Sequence, residues 1–403
     1  MKANRRQIPF EVTADGTGMT ARAGTGLLAQ TADWTGLTDA LSAQVGGCRG
    51  WEVHDPGKVV RDIVVMPADG GDALRHLNAL DGQEALFGQV ASPATANRTI
   101  LALADDELVS ERLADARRAM REAVWAAGGA PPVVAAALAA QSQPDGGDGG
   151  DGDQPDPRLS MDPDATLITC HNDDRDGRRQ AAPTLKKGFG THPLMMYLDR
   201  GDGLGESLAG LLRPGNAGSN TAADHIEVFE MALAALPPLP EGVKLVVRTD
   251  GAGSSRELLD YLRQAEVGFS VGFESGEAVR KAIRALPDAA WVQALTQDGG
   301  PRKGAAVAEI TEAIDLSGCP SGSRLIVRRE PLHPGARQTL FDIDGKRFTA
   351  FLTDQPDADL AGRDVCHRQH ARVEDRLRAR LVTAGRATCR VRRSSATRCG
   401  RGW

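Results

Sequence analysis

The sequence predicts an α/β protein: a mixed sheet carrying an all-β insertion, preceded by a mainly helical N-terminal domain. Three observations lead there. Residues 1–140 place apolar side chains at helical spacing. From Asp164 onward, short apolar runs alternate with helical stretches, and one of them, "VKLVVRTD", is continuous enough for a strand buried on both faces. Residues 290–353 then hold one strand pattern after another, separated by turns.

The elements follow in order. "AGTGLLAQTADWTGLTDALSAQVGG" reads as helix, with Thr35 and Thr38 as candidate caps. "DPGKVVRDIVVMPADGGDALRHLNAL" reads as a helix, a break at Pro67 to Gly71, and a second helix. "PATANRTILALADDELVSERLADARRAMREAVWAAGG" gives two more. Residues 141–160, "QSQPDGGDGGDGDQPDPRLS", read as a solvated Gly/Asp-rich linker. Beyond it, "ATLITCHN" and "HPLMMYLDR" predict strands. "SNTAADHIEVFEMALAAL" predicts a helix capped by Ser219 or Asn220. "SSRELLDYLRQAEV" predicts a helix and "GFSVGFES" a strand. "WVQALT", "AAVAEIT", "SRLIVRREPL", "QTLFDI" and "KRFTAFLTD" form the β-rich stretch, with Asp344-Gly345 as a hairpin signal.

Bulk properties narrow the function classes. With 403 residues the chain has room for two or three domains, and no apolar run is long enough for a membrane span. The start "MKANRRQIPFEV" lacks the apolar core of a secretory signal, so a cytoplasmic protein is expected. The six cysteines are scattered without a CxxC pair, which speaks against structural zinc and a disulfide framework. The net charge of −6 is unevenly spread: aspartates crowd residues 145–164, and the last forty residues are strongly basic. Local basic surfaces therefore remain available for phosphate. A nucleotide-binding fold is disfavoured, because "ADGTGMTARAGTG" has no Walker lysine.

Three acidic residues stand out: Asp164 in "MDPDATLITCHN", Asp250 in "VVRTDGAG" and Glu374 in "HRQHARVEDRLR". A strand ending in Asp250 and followed by Gly-Ala-Gly sets that carboxylate at the carboxyl edge of a sheet, where α/β proteins build sites. His367, His370, Glu374 and Arg378 follow helical spacing and share one face. Carboxylates drawn from distant stretches are what divalent metals need for phosphodiester chemistry. Asp162 reads as linker charge, with a supporting acid as the other reading. His171 and Asp173 read equally as surface or substrate contacts. Lys186, Lys187, Arg213, Arg328 and Arg329 are candidate phosphate contacts, as are His367, His370 and Arg378 on the last helix. Trp291 reads as a core or edge tryptophan, with base stacking as the alternative.

The ordered set "DATLITCHN", "AAPTLKKGFGTHPL", "LLRPGNAGSNTAADHI", "VVRTDGAG", "LIVRREPLHPGARQTLF" and "HRQHARVEDRLR" resembles the DDE transposases of bacterial insertion sequences, in the group common in actinobacteria. The resemblance spans roughly residues 5–380. It implies a ribonuclease-H-like catalytic domain with a β-rich insertion. It implies Asp164, Asp250 and Glu374 as catalytic metal ligands for two Mg2+ or Mn2+ ions. One ion would activate water or a 3′-hydroxyl, and the other would stabilise the leaving oxygen. It also implies double-stranded DNA as partner, through terminal inverted repeats and target, and a homodimer on paired ends. No membrane partner is expected. Where that family has arginine, four residues before the glutamate, this chain has His370. Pro163 stands in what should be a central strand.

The expected organisation is a DNA-binding helical domain (1–140), the linker (141–160), the first part of the catalytic domain (161–285), the β-rich insertion (286–355), the last catalytic helix (356–380) and an aberrant basic tail (381–403). The tail lacks helical periodicity and has the composition of a GC-rich frame read out of register. A frameshift between roughly Arg378 and Arg386 is the expectation, with a natural DNA-binding tail as the alternative. The functional expectation is metal-dependent DNA cleavage and strand transfer, with truncation as a route to inactivation. A DNA-binding remnant that inhibits transposition is the alternative, and an unrelated metal nuclease on the same fold is a third reading.

Overall fold

The computed structural model describes residues 22–46, 53–141, 158–170, 182–183, 188–218, 221–251, 254–332, 342–343, 345–356, 359–383 and 388–389. Helices come first: α1 (Ala23–Trp34), α2 (Leu37–Val45), α3 (Pro56–Val65), α4 (Glu84–Phe87), α5 (Pro93–Ala104), α6 (Val109–Val124) and α7 (Pro132–Gln141). Local chemistry fixes several of their ends. The Asp55 carboxylate accepts from the backbone of Gly57 and Lys58, with Pro56 in the first turn of α3. Ser92 and Pro93 do the same for α5. Thr35 and Thr38 do not cap a helix start. Thr35 closes α1, and α2 begins after Gly36, whose φ of 76° suits glycine. The Thr38 hydroxyl instead donates to Asp33. The helix expected after Pro67–Gly71 is a 3₁₀ turn, Leu74–Ala79. Val59, Leu77, Leu80 and Phe87 form the core of this region.

The strands are β1 (Arg158–Ala165), β2 (Ile168–Cys170), β3 (Ala182–Pro183), β4 (Phe189–Thr191), β5 (Leu194–Asp199), β6 (Gly205–Leu211), β7 (Lys244–Thr249), β8 (Gly268–Phe273), β9 (Val292–Leu295), β10 (Pro301–Glu309), β11 (Arg324–Pro331), β12 (Lys346–Thr353) and β13 (Thr388–Cys389). Nine form one sheet in the order β6-β5-β1-β7-β8-β12-β11-β10-β9, and four short ones form a second, β13-β2-β4-β3. In the large sheet β1, β7 and β8 run parallel, and the other pairs are antiparallel. The expected ribonuclease-H-like mixed sheet is present. The β-rich insertion is not a separate layer: β12 pairs with β8, so β9–β12 extend the same sheet and cover an edge that would otherwise stand open. Ile343 and Lys346 exchange both backbone hydrogen bonds in an isolated bridge at the start of β12. The segment "QTLFDI" and the Ser219–Asn220 cap fall mostly or wholly outside the described residues; α8 starts after Thr221.

β1 begins earlier than the sequence suggested. Residues 158–160, read as linker, belong to it, whereas "ATLITCHN" splits between the end of β1 and β2. Its alternation explains the shift. Leu159 and Met161 enter the main core beside Val247, Phe269 and Val271. Ser160, Asp162 and Asp164 point to the opposite face. Helices α8 (Ala222–Ala234), α9 (Arg256–Gln264) and α10 (Glu277–Ala285) pack on the core side through Val228, Phe229, Leu258, Leu262 and Val279. α11 (Leu360–Arg368) and α12 (Arg372–Thr383) supply the groups that meet the other face.

The helical region is joined to the sheet by α6. The buried Arg121 guanidinium donates to Glu206 at 2.8 Å and to the carbonyls of Ala235 and Ser207. Trp125 and Val134 enter the main core. No single described helix is long and apolar enough to cross a membrane.

Candidate active site

β1 and β7 pair in parallel from Arg158↔Lys244 to Met161↔Val247. Continuing that offset of 86 residues by one step sets Asp162 beside Arg248, and the pair is directly bonded. Asp164 follows two residues later on the same face of β1, and Asp250 follows β7 directly. Arg248 Nε and Nη2 donate to the two Asp162 carboxylate oxygens at 2.8 and 2.7 Å. Asp162 is therefore not linker charge but a fully buried carboxylate. Burial opposes its ionisation, yet Arg248 and His370 outweigh that and hold it below the usual carboxylate range. Pro163 lies past the last β1–β7 pair, where that side of the strand is no longer laddered, so a central strand tolerates it.

Asp164 stands one row further along. Burial pushes its carboxyl above the usual value, and the charges of Asp250 and Glu374 push the same way. The Ala165 N–H, 2.7 Å from Asp164 Oδ1, and His370 oppose the shift. The charges of Asp250 and Glu374 thus both reach Asp164 at the sheet edge. Asp250 is exposed and follows β7 directly. Its turn crosses β8 at Gly272, where a Cβ would lie 2.7 Å from the Gly251 nitrogen and 3.0 Å from the Asp250 carbonyl carbon. Only glycine lets that backbone settle so close.

The helix expected to carry Glu374 is broken. α11 stops at Arg368, Gln369–Ala371 form a 3₁₀ turn, and α12 follows. Even so, His367, His370 and Glu374 are brought to the sheet in sequence. The His367 ring stacks on Phe351, and its Nδ1 lies 3.0 Å from Ser270 Oγ. Burial, with His370, Arg328 and Arg248 nearby, pushes His367 down to about 3, so it is neutral at neutral pH. His370 Nδ1 lies 3.3 Å from Asp162. Glu374 is exposed one turn later.

The donor chemistry suits a hard divalent cation: carboxylate oxygens only, with Asp164 held against its own charge by burial and by two like charges. Among the described residues, no three acidic, imidazole or thiol groups already close on one metal position. The set is gathered rather than clenched.

A model of the family described as Transposase DDE domain group 1 matches residues 149–396. The chain belongs to this family. No curated protein matches the chain. Membership makes it a DDE transposase by class, a DNA-acting nuclease and transferase, and members generally depend on divalent metal.

Against this DDE framework, the remaining expected residues divide. Arg213 is buried and donates to the carbonyls of His192 and Gly218 and to Asp224, which ties down the loop before α8. Arg328 is buried against Asp364 at 2.8 Å. These two, with the neutral His367, have internal partners, which corrects their reading as phosphate contacts. Arg329 is partly exposed, pairs with Asp288 at 3.6 Å and lies 4.3 Å over the Trp291 ring. Trp291 packs on the main core and meets Phe348 edge to face. Arg378 lies in α12. Lys186, Lys187, His171 and Asp173 lie outside the described residues. Sequence reading missed Arg248, Asp199 and Gly272. The signal for Arg248 was present: a lone cation inside the apolar run "KLVVRT" has to find an anion.

Proposed function

We propose that the chain is the transposase of an actinobacterial-type insertion sequence, and that it cleaves DNA at terminal inverted repeats and joins the ends to target DNA. The observation that supports this is that the charges of Asp250 and Glu374 both reach Asp164, at the edge where β1 and β7 stop pairing. In this reading the three carboxylates hold Mg2+ or Mn2+. When bound, the metal supplies Lewis-acid stabilisation of charge on the phosphodiester oxygens. The chain's own part is to present oxygen donors from two rigid strands and one helix. Arg248 neutralises Asp162 below them, so the buried acid does not compete for the cation.

The other assignments complete the reading. The helical N-terminal domain (1–140) recognises the element's ends. Arg329, His370 and Arg378, with Lys186 and Lys187, remain the phosphate-contact candidates. A homodimer holds paired ends in the nucleoid. The basic tail is a frameshift product, which sequencing of the encoding DNA tests and which also supplies the repeats.

The test is a nicking assay on duplexes carrying those repeats, with Mg2+. The wild-type chain is expected to leave a nick that Asp164→Asn, Asp250→Asn and Glu374→Gln abolish while DNA binding persists. Binding without any nick in the wild type would favour an inhibitory remnant. Nicking indifferent to the repeats, without strand transfer, would favour an unrelated nuclease.

A further inference from the structure

The catalytic row rests on a buried charge network that the reading above does not use. Arg248, 1% exposed, is its hub. Besides Asp162, it donates to Asp199 of β5 at 2.7 Å, to the Cys366 carbonyl at 2.9 Å and to Gln369 Oε1 at 3.2 Å. The Cys366 carbonyl, among the last of α11, also accepts from the Gln369 N–H, so it takes the Arg248 bond with its second lone pair. Gln369 opens the 3₁₀ turn. One guanidinium on β7 therefore bonds two further strands, β1 and β5, and the joint between two helices.

Asp199 passes the link onward. It lies 3.6 Å from Arg372 Nη1 and 3.4 Å from Arg376 Nη2, one turn apart on α12. Arg376 also donates to the Leu204 carbonyl at 2.9 Å and lies across Gly205, whose missing side chain gives it room. Val373 and Leu377, the next stripe of α12, bury against Tyr197 and Met195 of β5. The joint matters for aim. A 3₁₀ turn winds the chain more tightly than an α-helix, so the joint bears on where α12 presents its residues.

We infer that Arg248 and Asp199 are positioning residues that set the pose of α12, and with it the Glu374 carboxylate, over the Asp164–Asp250 edge. The metal part of this inference rests on the proposed function; the pose of α12 does not.

Asp199→Asn and Arg248→Lys in the full chain test it, each checked for retained fold by circular dichroism. Arg376→Ala, at a partly exposed side chain, serves if either fails to fold. Hydrogen exchange should speed up in residues 372–377 while β1 and β7 keep their protection. Mn2+ binding by calorimetry should weaken about tenfold or more, as for groups that orient metal ligands. In a Glu374→Gln background, Asp199→Asn should weaken Mn2+ no further, because its effect runs through Glu374. Unchanged exchange in α12, or an equal loss of Mn2+ affinity in both backgrounds, would overturn the inference. A wild-type chain that binds no Mn2+ would sink the metal reading instead, and the exchange arm would still decide whether Asp199 and Arg248 set the helix.

Discussion

Asp162 and Asp164 are two residues apart on one strand face and have opposite electrostatic roles. Asp162, paired with Arg248, has a lowered folded-state value, so it contributes stability above the ordinary carboxylate range that is lost as pH falls through the folded value. Asp164 has a raised value from burial and from Asp250 and Glu374, so its sign is reversed. Its cost is absent below the unfolded value of 3.8 and grows as pH rises through the folded value. In chelator-treated buffer, Asp164→Asn is therefore expected to melt higher than wild type at neutral pH, with the gain shrinking as pH falls toward 3.8. Thermal melts across pH check this. An asparagine variant that melts lower at neutral pH would mean that the carboxylate is not held against its charge. Such a cost is what a site prepared for a cation is expected to carry.

At the scale of elements, the site depends on how closely a turn can lie on a strand. The Asp250–Gly251 turn rests on Gly272, and the atoms that a Cβ would meet are backbone, which cannot rotate away. Gly272→Ala is expected to cost about 1–3 kcal/mol, the usual range for overpacking. It should also displace Asp250 enough to weaken both Mn2+ binding and nicking, while circular dichroism keeps its strand signal. Urea denaturation beside the nicking assay reads both effects. Full activity in this variant would show that the turn can lift without moving the carboxylate. Most elements were legible because their signal is local. "VKLVVRTD", "GFSVGFES" and "KRFTAFLTD" became β7, β8 and β12, since an apolar run flanked by turn residues has few other uses. β1 was misplaced because half its face is acidic, and an acidic face in a central strand makes sense only once Arg248 stands opposite. The break in the last helix was illegible for a related reason. The spacing of His367, His370 and Glu374 suits an unbroken helix, and the Arg248 that bonds Cys366 and Gln369 at the break comes from β7, far away in sequence.

On the scale of the whole molecule, the helical region and the sheet share a core and a buried cation. Arg121 leaves α6 to meet Glu206 and two carbonyls at the end of α8 and in β6, while Trp125 and Val134 pack beneath. Arg121→Leu removes charge-assisted hydrogen bonds worth about 1.5–3 kcal/mol each and strands their acceptors. The variant is expected to separate unfolding into two calorimetric transitions, helical region first, where the wild type shows one. A single transition at an unchanged temperature would mean that the apolar contacts alone couple the two regions. The coupling has a functional side. If the first region grips DNA, α6 is the element through which that grip reaches the catalytic sheet.

The sequence by itself determined the α/β class and most of the order of elements, because hydrophobic period and turn chemistry act over a few residues. Family motifs such as "RTDG" lie within such stretches. Only the tertiary structure decided what each charge does. It made Asp162 a buried partner instead of linker and gave Arg213, Arg328 and His367 internal roles. The reason is physical. A charge is costly to bury unless it is matched, and the match for Asp162 lies 86 residues along the chain, a distance that only folding closes.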